Sequence, residues 1–351
     1  MKKENMKRIL FASLTVLLSF HLTYAYPQLV QSFDVGDNIY AADMSHSGEI
    51  IALGTVGGDI FVLDSNLRVI TESNIDESII ALAVSGRNYT FATIKGEVYY
   101  NNQNILNIEK APNCLDLSNQ GYLLVCQADN LSLIINGKEY WTKQVYPRDA
   151  SITDDGNYIV VAGRDGNLSL FDREGNLIWK HPFDGVKIVR ISENGEYISF
   201  ATDDKVYFAD RWYNILFDMP IKVKDMEITG DGSYIICGGD SLILLDRYGH
   251  ELWNYSLPKG LEKVRISDFA EKILVAYWDG KVEMYNNLKK HGYPEIEKKE
   301  NLSNYTSNKS NKKVESEKTG DEGNTNIIIA LILVVVFIST CIGLMLIKKK
   351  T

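Results

Sequence analysis

One recurring position sets the architecture of this chain. Ser or Thr returns at Ser45, Ser85, Ser118, Thr153, Ser192, Thr229 and Ser267, at intervals of 33 to 40 residues. Each is followed within 14 residues by a similar short run: DIFVLD, EVYYNN, LSLIIN, NLSLFD, KVYFAD, SLILLD and KVEMYN. Self-similarity at this period marks a stack of repeated units. The clearest copy runs from Asp154 to Phe183. It alternates apolar and polar residues with period two, and Asp-Gly and Glu-Gly pairs punctuate it. That pattern describes short antiparallel strands joined by tight turns. A first strand ends at Thr153, a second covers Tyr158 to Ala162, a third Leu168 to Asp172, and a fourth Leu177 to Phe183.

A unit of three or four strands with two apolar faces cannot bury both alone. Radial face-to-face packing solves this and leaves only short edges. The fold class expected is all-β, a seven-bladed β-propeller over residues 26–288. The seventh repeat stops at Asn286 without a fourth strand, while LVQSFDVGDNIYAADMS stands before the first repeat. That segment aligns with LIWKHPFDGVKIVRIS, a fourth strand leading into the next unit. Gln28 to Val35 is therefore expected to be the missing outer strand, closing the ring and covering its edge.

The two ends of the sequence have other jobs. Residues 1–25 have a basic start, an apolar stretch of about 14 residues and small residues near Ala25, the form of a secretory signal. Residues 327–347 are uncharged and span about 31 Å as a helix, matching a bilayer core. Lys348, Lys349 and Lys350 follow, which places the tail 348–351 on the cytoplasmic side. Residues 289–326 are rich in Lys, Glu, Asn and Ser, too polar to bury a core, and read as a flexible stalk. The expected location is a cell membrane crossed once by a C-terminal transmembrane helix, with the propeller extracytoplasmic. Three sequons fall in the stalk, at Asn301, Asn304 and Asn308, and are the expected glycan acceptors. Removing the +3 of residues 1–25 and the +3 of Lys348–Lys350 from the net -9 leaves about -15 for the rest. So acidic a surface repels phosphate backbones, so nucleic acid is not an expected partner.

The run Gly166 to Trp179, GNLSLFDREGNLIW, resembles the repeat of PQQ-like propellers: a Gly opens the third strand, an Asp closes it, and a Gly turn leads to Trp. The element Asp-Arg-x-x-x-x-x-[Trp/Phe] occurs at Asp172–Trp179, Asp210–Phe217 and Asp246–Trp253. Strand order and repeat length are equally similar to WD40-like propellers. The resemblance covers residues 28–287 and implies fold, not function. The Asp is expected to bond turn amides, the Gly to take positive φ, and the Trp to pack between blades.

Catalytic signatures are sparse. The vicinal Cys pair of the quinone enzymes is missing, as are GxSxG, Walker and HExxH motifs, and no loop has the density of a calcium site. His46 occupies a first turn, equivalent to Asp154 or Asp155 of the template copy. No catalytic, cofactor-binding or metal-ligating residue is assigned from spacing, and no cofactor is expected. Around the turn at Asn119–Gly121, Ser118 faces Tyr122, and the same register sets Cys114 opposite Cys126. An exported domain can bridge such a pair; two buried thiols are the other reading. The functional expectation is a non-catalytic membrane-anchored binding or scaffold module for protein or glycan partners. An assembly factor holding client chains at the membrane is one alternative, and a PQQ- or calcium-dependent propeller enzyme another.

Overall fold

The computed structural model describes residues 27–258 and 260–287. The expected signal, stalk with its three sequons, transmembrane helix and tail lie outside the described residues. Among the described residues, no helix is long and apolar enough to cross a membrane.

Seven four-stranded antiparallel sheets follow one another along the chain, one per repeat. Every blade has four strands, including those whose repeats suggested three. The fourth blade has strands Pro147–Ile152, Tyr158–Gly163, Asn167–Asp172 and Leu177–Pro182, within a residue of the expected ends where the sequence set them. Its second and third strands are buried over most of their length, whereas the outer strand alternates exposed and half-buried residues. Middle strands lie between two neighbouring blades and must be apolar on both faces; only the outer strand meets water. The core is accordingly divided among seven inter-blade clusters. The one between blades 1 and 7 joins Ile39, Leu53 and Phe61 to Leu274, Val282 and Met284.

The ring is closed as the sequence implies. Pro27–Asp34 pairs antiparallel with Lys281–Asn287 and forms the outermost strand of blade 7. The innermost strands of all neighbouring blades touch, the first and the seventh included.

The recurring Ser or Thr is buried in every blade. Its hydroxyl accepts the N–H at the far end of the first turn, as in Ile50 to Ser45, Tyr122 to Ser118 and Tyr158 to Thr153, at 3.0, 3.0 and 3.1 Å. A buried amide without that partner would cost about 1–3 kcal/mol. Gly156 in the same turn has φ +69, and a Cβ there would lie 2.1 Å from the Tyr122 ring. Blade 2 departs from this scheme, because its turn is tighter; the Ser85 hydroxyl instead donates to Asn119 Oδ1.

The Asp-Arg-x-x-x-x-x-[Trp/Phe] element is glue between blades. Asp210 Oδ1 accepts from the amides of Trp212 and Asn214, which fixes the turn it opens. Arg211 donates to Gly195 O and stacks over Tyr158 of the preceding blade, 4.4 Å from its centroid. Arg247 repeats the arrangement over Tyr197, and Arg173 over Tyr122. From the outer strand, Trp179 Nε1 donates to Arg211 O of the next blade, and Trp141 Nε1 to Arg173 O.

Cys114 and Cys126 are directly opposed across the first two strands of blade 3. Their Cα atoms are 5.1 Å apart and their sulfurs are joined. The bridge closes a short loop, so reduction is expected to destabilise the domain by about 2–3 kcal/mol. Comparing thermal unfolding and intact mass with and without reductant measures this. A mass unchanged on reduction and alkylation at both cysteines of the unreduced protein would leave two thiols instead. Cys237 is a buried free thiol whose pKa burial pushes up to about 12, consistent with a core residue.

Candidate functional site: the axial channel and its two mouths

The seven inner strands are Ile39–Met44, Ile79–Ser85, Cys114–Leu117, Pro147–Ile152, Ile188–Ile191, Asp225–Ile228 and Leu261–Ile266. They line an axial cavity of about 130 Å³. That is small against the roughly 300–1,000 Å³ of a typical ligand pocket. Its wall carries Asp43, Asp116, Asp149, Arg190, Glu227, Lys263 and Arg265, with the buried Asp225 beside them.

These charges mostly satisfy one another. Arg265 binds Asp43 at 2.5 Å and Asp225 at 2.6 Å. Arg190 binds Asp149 at 2.7 Å and Glu227 at 3.3 Å. Four of the carboxylates also clasp the next blade by accepting a backbone N–H from its inner strand. Asp43 takes Val84, Asp116 takes Ile152, Asp149 takes Val189 and Asp225 takes Val264, at 2.6 to 3.0 Å. Burial pushes Glu227 and Asp116 above the ordinary carboxylate range despite the nearby arginines. Burial opposes ionisation of Asp225 too, but Arg265, Lys263, Arg190 and the Val264 amide hold it below that range. For Arg190 and Arg265 burial acts downward, yet the surrounding carboxylates keep both above their ordinary value. The channel wall is thus a fastening of the ring, built from charge pairs and charge-assisted hydrogen bonds.

None of these residues stood out by sequence spacing, since they come from six blades. Their register is the missed signal. Asp43, Asp116, Arg190, Glu227 and Arg265 each stand two residues before the recurring Ser or Thr, and Asp149, Asp225 and Lys263 stand four before it. With side chains alternating along a strand, both offsets face the axis.

At one mouth the first turns converge. The residues just after the recurring Ser or Thr are His46, Gly86, Asn119, Asp154, Glu193, Gly230 and Asp268. Asn119 Nδ2 donates to Asp154 Oδ2 at 2.7 Å, and His46 Nδ1 is 3.6 Å from Asp154 Oδ1. His46 Nδ1 also lies against Glu193 Oε1. Donor atoms of His46, Glu193 and Asp268 are all within 4.8 Å of one another. Burial pushes Asp268 above the ordinary carboxylate range, with Asp154 and Asp231 adding to the effect and His46 opposing it.

The opposite mouth is framed by the turns between second and third strands. Blades 7, 1 and 2 place large apolar side chains there: Trp278, Val56 and Ile94, joined by Tyr40 from the inner strand of blade 1. All four are between 37% and 56% exposed. Tyr40 meets Trp278 edge to face, with centroids 6.0 Å apart. Hydrogen bonds stitch the arc together: Ile39 N to Trp278 O, Val56 N to Asn38 O, and Ile94 N to Ser78 O. Ser78 Oγ adds a bond to Val56 O. The corresponding turn residues of the other blades are Gln127, Arg164, Thr202 and Gly239. Ion pairs border the arc, Glu77 with Lys95 at one end and Glu262 with Lys224 at the other.

The fold is that of known seven-bladed propellers. The β-propeller domain of Cps50 (Swd1) from Myceliophteria thermophila superposes with a TM-score of 0.63, over 74% of this chain and 99% of that one. At 12% identity the likeness carries the architecture alone. It supports the WD40-like side of the resemblance as far as fold goes. No protein-family model matches the sequence. No curated protein matches it either.

Of the residues singled out by sequence, Cys114 and Cys126 meet in blade 3, and Cys114 lies at the channel wall. His46 was placed in a first turn, and that is where it stands. What spacing could not show is that the first turns of blades 1, 5 and 7 meet near the axis.

Proposed function

We propose that this chain is a membrane-tethered, extracytoplasmic binding or scaffold module whose protein partner seats on the mouth framed by Trp278, Tyr40, Val56 and Ile94. The reading is non-catalytic. The aromatic arc is the observation that carries it. A half-exposed apolar arc bordered by ion pairs has the anatomy of an interaction site: an apolar centre with Trp and Tyr, and a polar rim. The described chain begins at Pro27 and ends at Asn287, which are paired on the first-turn side of blade 7. The arc therefore lies on the side of the ring away from Pro27 and Asn287. The signal and membrane segments read from the sequence supply the location, with glycans on the stalk at Asn301, Asn304 and Asn308. The repeat is proposed to be of the PQQ-like kind in its Gly, Asp and Trp positions, used for blade packing alone.

A photocrosslinking residue at Ile94 on intact cells, beside one at Tyr248 on the other side of the ring, tests the reading. A discrete adduct from position 94 alone is expected. Trp278→Ser is expected to weaken it by about 30-fold, the scale of an interface hot spot. Equal adducts from both positions, or none, would overturn it.

A further inference from the structure

We infer that the first-turn mouth of the channel holds a divalent transition-metal ion, Zn²⁺ or Mn²⁺, bound by His46, Glu193 and Asp268, with Asp154 as a further ligand or as a partner of the His46 ring. The three side chains come from blades 1, 5 and 7, and their donor atoms already lie within 4.8 Å of one another. A ring nitrogen with two carboxylates suits zinc or manganese; the all-oxygen sets that favour calcium and magnesium lack the imidazole.

Two features of the cradle point to an occupant. Glu193 Oε1 is out of solvent and makes no hydrogen bond, although His46 Nδ1 lies directly against it. A proton on Nδ1 can hold this pair, and an ion ligated by both residues can take that proton's place. Gly230 is the second feature. Its φ lies outside the left-handed region, so the backbone does not demand glycine there. A Cβ at this position would nevertheless sit 2.5 Å from Asp268 Oδ1 and 2.5 Å from Glu193 Oε2. The space a side chain would fill is kept free for the two carboxylates. The Gly230 amide in turn donates to Asp268 Oδ1 at 3.2 Å, and the Asp268 amide to His46 O at 2.8 Å, which orients the ligands.

The chemistry is structural. An ion here ties blade 5 to blades 1 and 7, which are not its neighbours, across the end of the channel. That adds a cross-ring fastening to the pairwise clasps of the wall. The carboxylates must be ionised and the imidazole neutral to bind, so affinity rises with pH through the range in which these groups lose protons.

The test uses the full chain in detergent, stripped with chelator and then dialysed against ZnCl₂, MnCl₂ or CaCl₂, with bound metal measured. One zinc or manganese per chain is expected. Thermal midpoint is expected to rise by roughly 5 °C at about 100 times Kd. Glu193→Gln and His46→Ala are each expected to lower affinity at least tenfold while the stripped proteins still fold. Gly230→Ala should reduce binding with all ligands present, a result that mere surface charge would not give. Calcium binding alone, metal binding unaffected by Glu193→Gln and His46→Ala, or no binding at micromolar metal would each overturn the inference. None of these outcomes bears on the aromatic arc, which lies at the other mouth.

Discussion

Replacing Arg265 by alanine is expected to lower the stability of the propeller by about 3–5 kcal/mol, the cost of leaving buried charges without their partner. For a domain of this size that is a fall in melting temperature of roughly 10 °C. Arg265 is 8% exposed. Its guanidinium spans three blades: it rises from blade 7, binds Asp43 of blade 1 and Asp225 of blade 6, and its Nη1 also donates to Val264 O at 2.6 Å. Glu227 is 3.6 Å away. Without Arg265, Asp225 and Glu227 keep only Arg190, which is already engaged with Asp149, and Asp43 loses its ion-pair partner. Arg265→Lys should recover only part of the loss, since one ammonium cannot serve both carboxylates with the geometry of the planar fork.

The same substitution has a pH signature. Asp225 is held below the ordinary carboxylate range in the folded protein. A depressed folded value contributes stability that is present above the unfolded pKa and lost as pH falls through the folded one. In Arg265→Ala that contribution is missing at neutral pH, and acid relieves the unpaired carboxylates by protonating them. The gap between wild type and variant is therefore widest near pH 7 and narrows toward pH 4. Urea titrations at several pH values measure it. A gap below about 1 kcal/mol at pH 7 would show that the ring does not depend on this pair.

The fold was legible because its signal is local and repeated seven times. The buried Ser or Thr, the turn-forming Asp and the alternating third strand recur because each blade solves the same packing problem. The template strands were placed within a residue of their ends for the same reason. The polar channel was not legible, because its residues are not a motif. Asp43, Asp225 and Arg265 are far apart in sequence and vary from blade to blade, so no single copy announces a role. Charges at the axis can alternate in sign from blade to blade and still balance, and only the summed ring shows the pairing. His46, Glu193 and Asp268 escaped for a related reason: metal-site spacing rules look for ligands on one turn or one helix, whereas a propeller collects one ligand from each of several turns. The aromatic arc was hidden differently. Trp278, Val56 and Ile94 occupy equivalent turns, but an apolar residue in a turn is unremarkable until its neighbours in the ring share the trait.

Deleting residues 28–35 is expected to unfold blade 7 selectively and to lower the melting temperature by roughly 10 °C or more, on the scale of losing a large core side chain together with a strand. The strand Pro27–Asp34 covers the third strand of that blade along Lys281–Asn287. Phe33 and Val35 pack against the cluster shared by blades 1 and 7, and Phe33 meets Phe61 at 5.9 Å. Val35 N also bonds Gly280 O at 3.1 Å, so the link continues past the strand into the turn. Removal leaves Lys281–Asn287 as an open edge, a template for pairing with another chain. Hydrogen exchange should quicken first in residues 261–287, and the truncated protein should self-associate. A synthetic peptide of residues 26–36 added in trans should restore protection, because the edge needs a strand of that sequence and not a covalent connection. The same contacts predict which residues of the peptide matter. Phe33→Ala should abolish rescue, whereas changes at the exposed Leu29 and Val30 should leave it intact. Unchanged melting and exchange after the deletion would mean that the ring is held shut by its inner strands and channel charges alone.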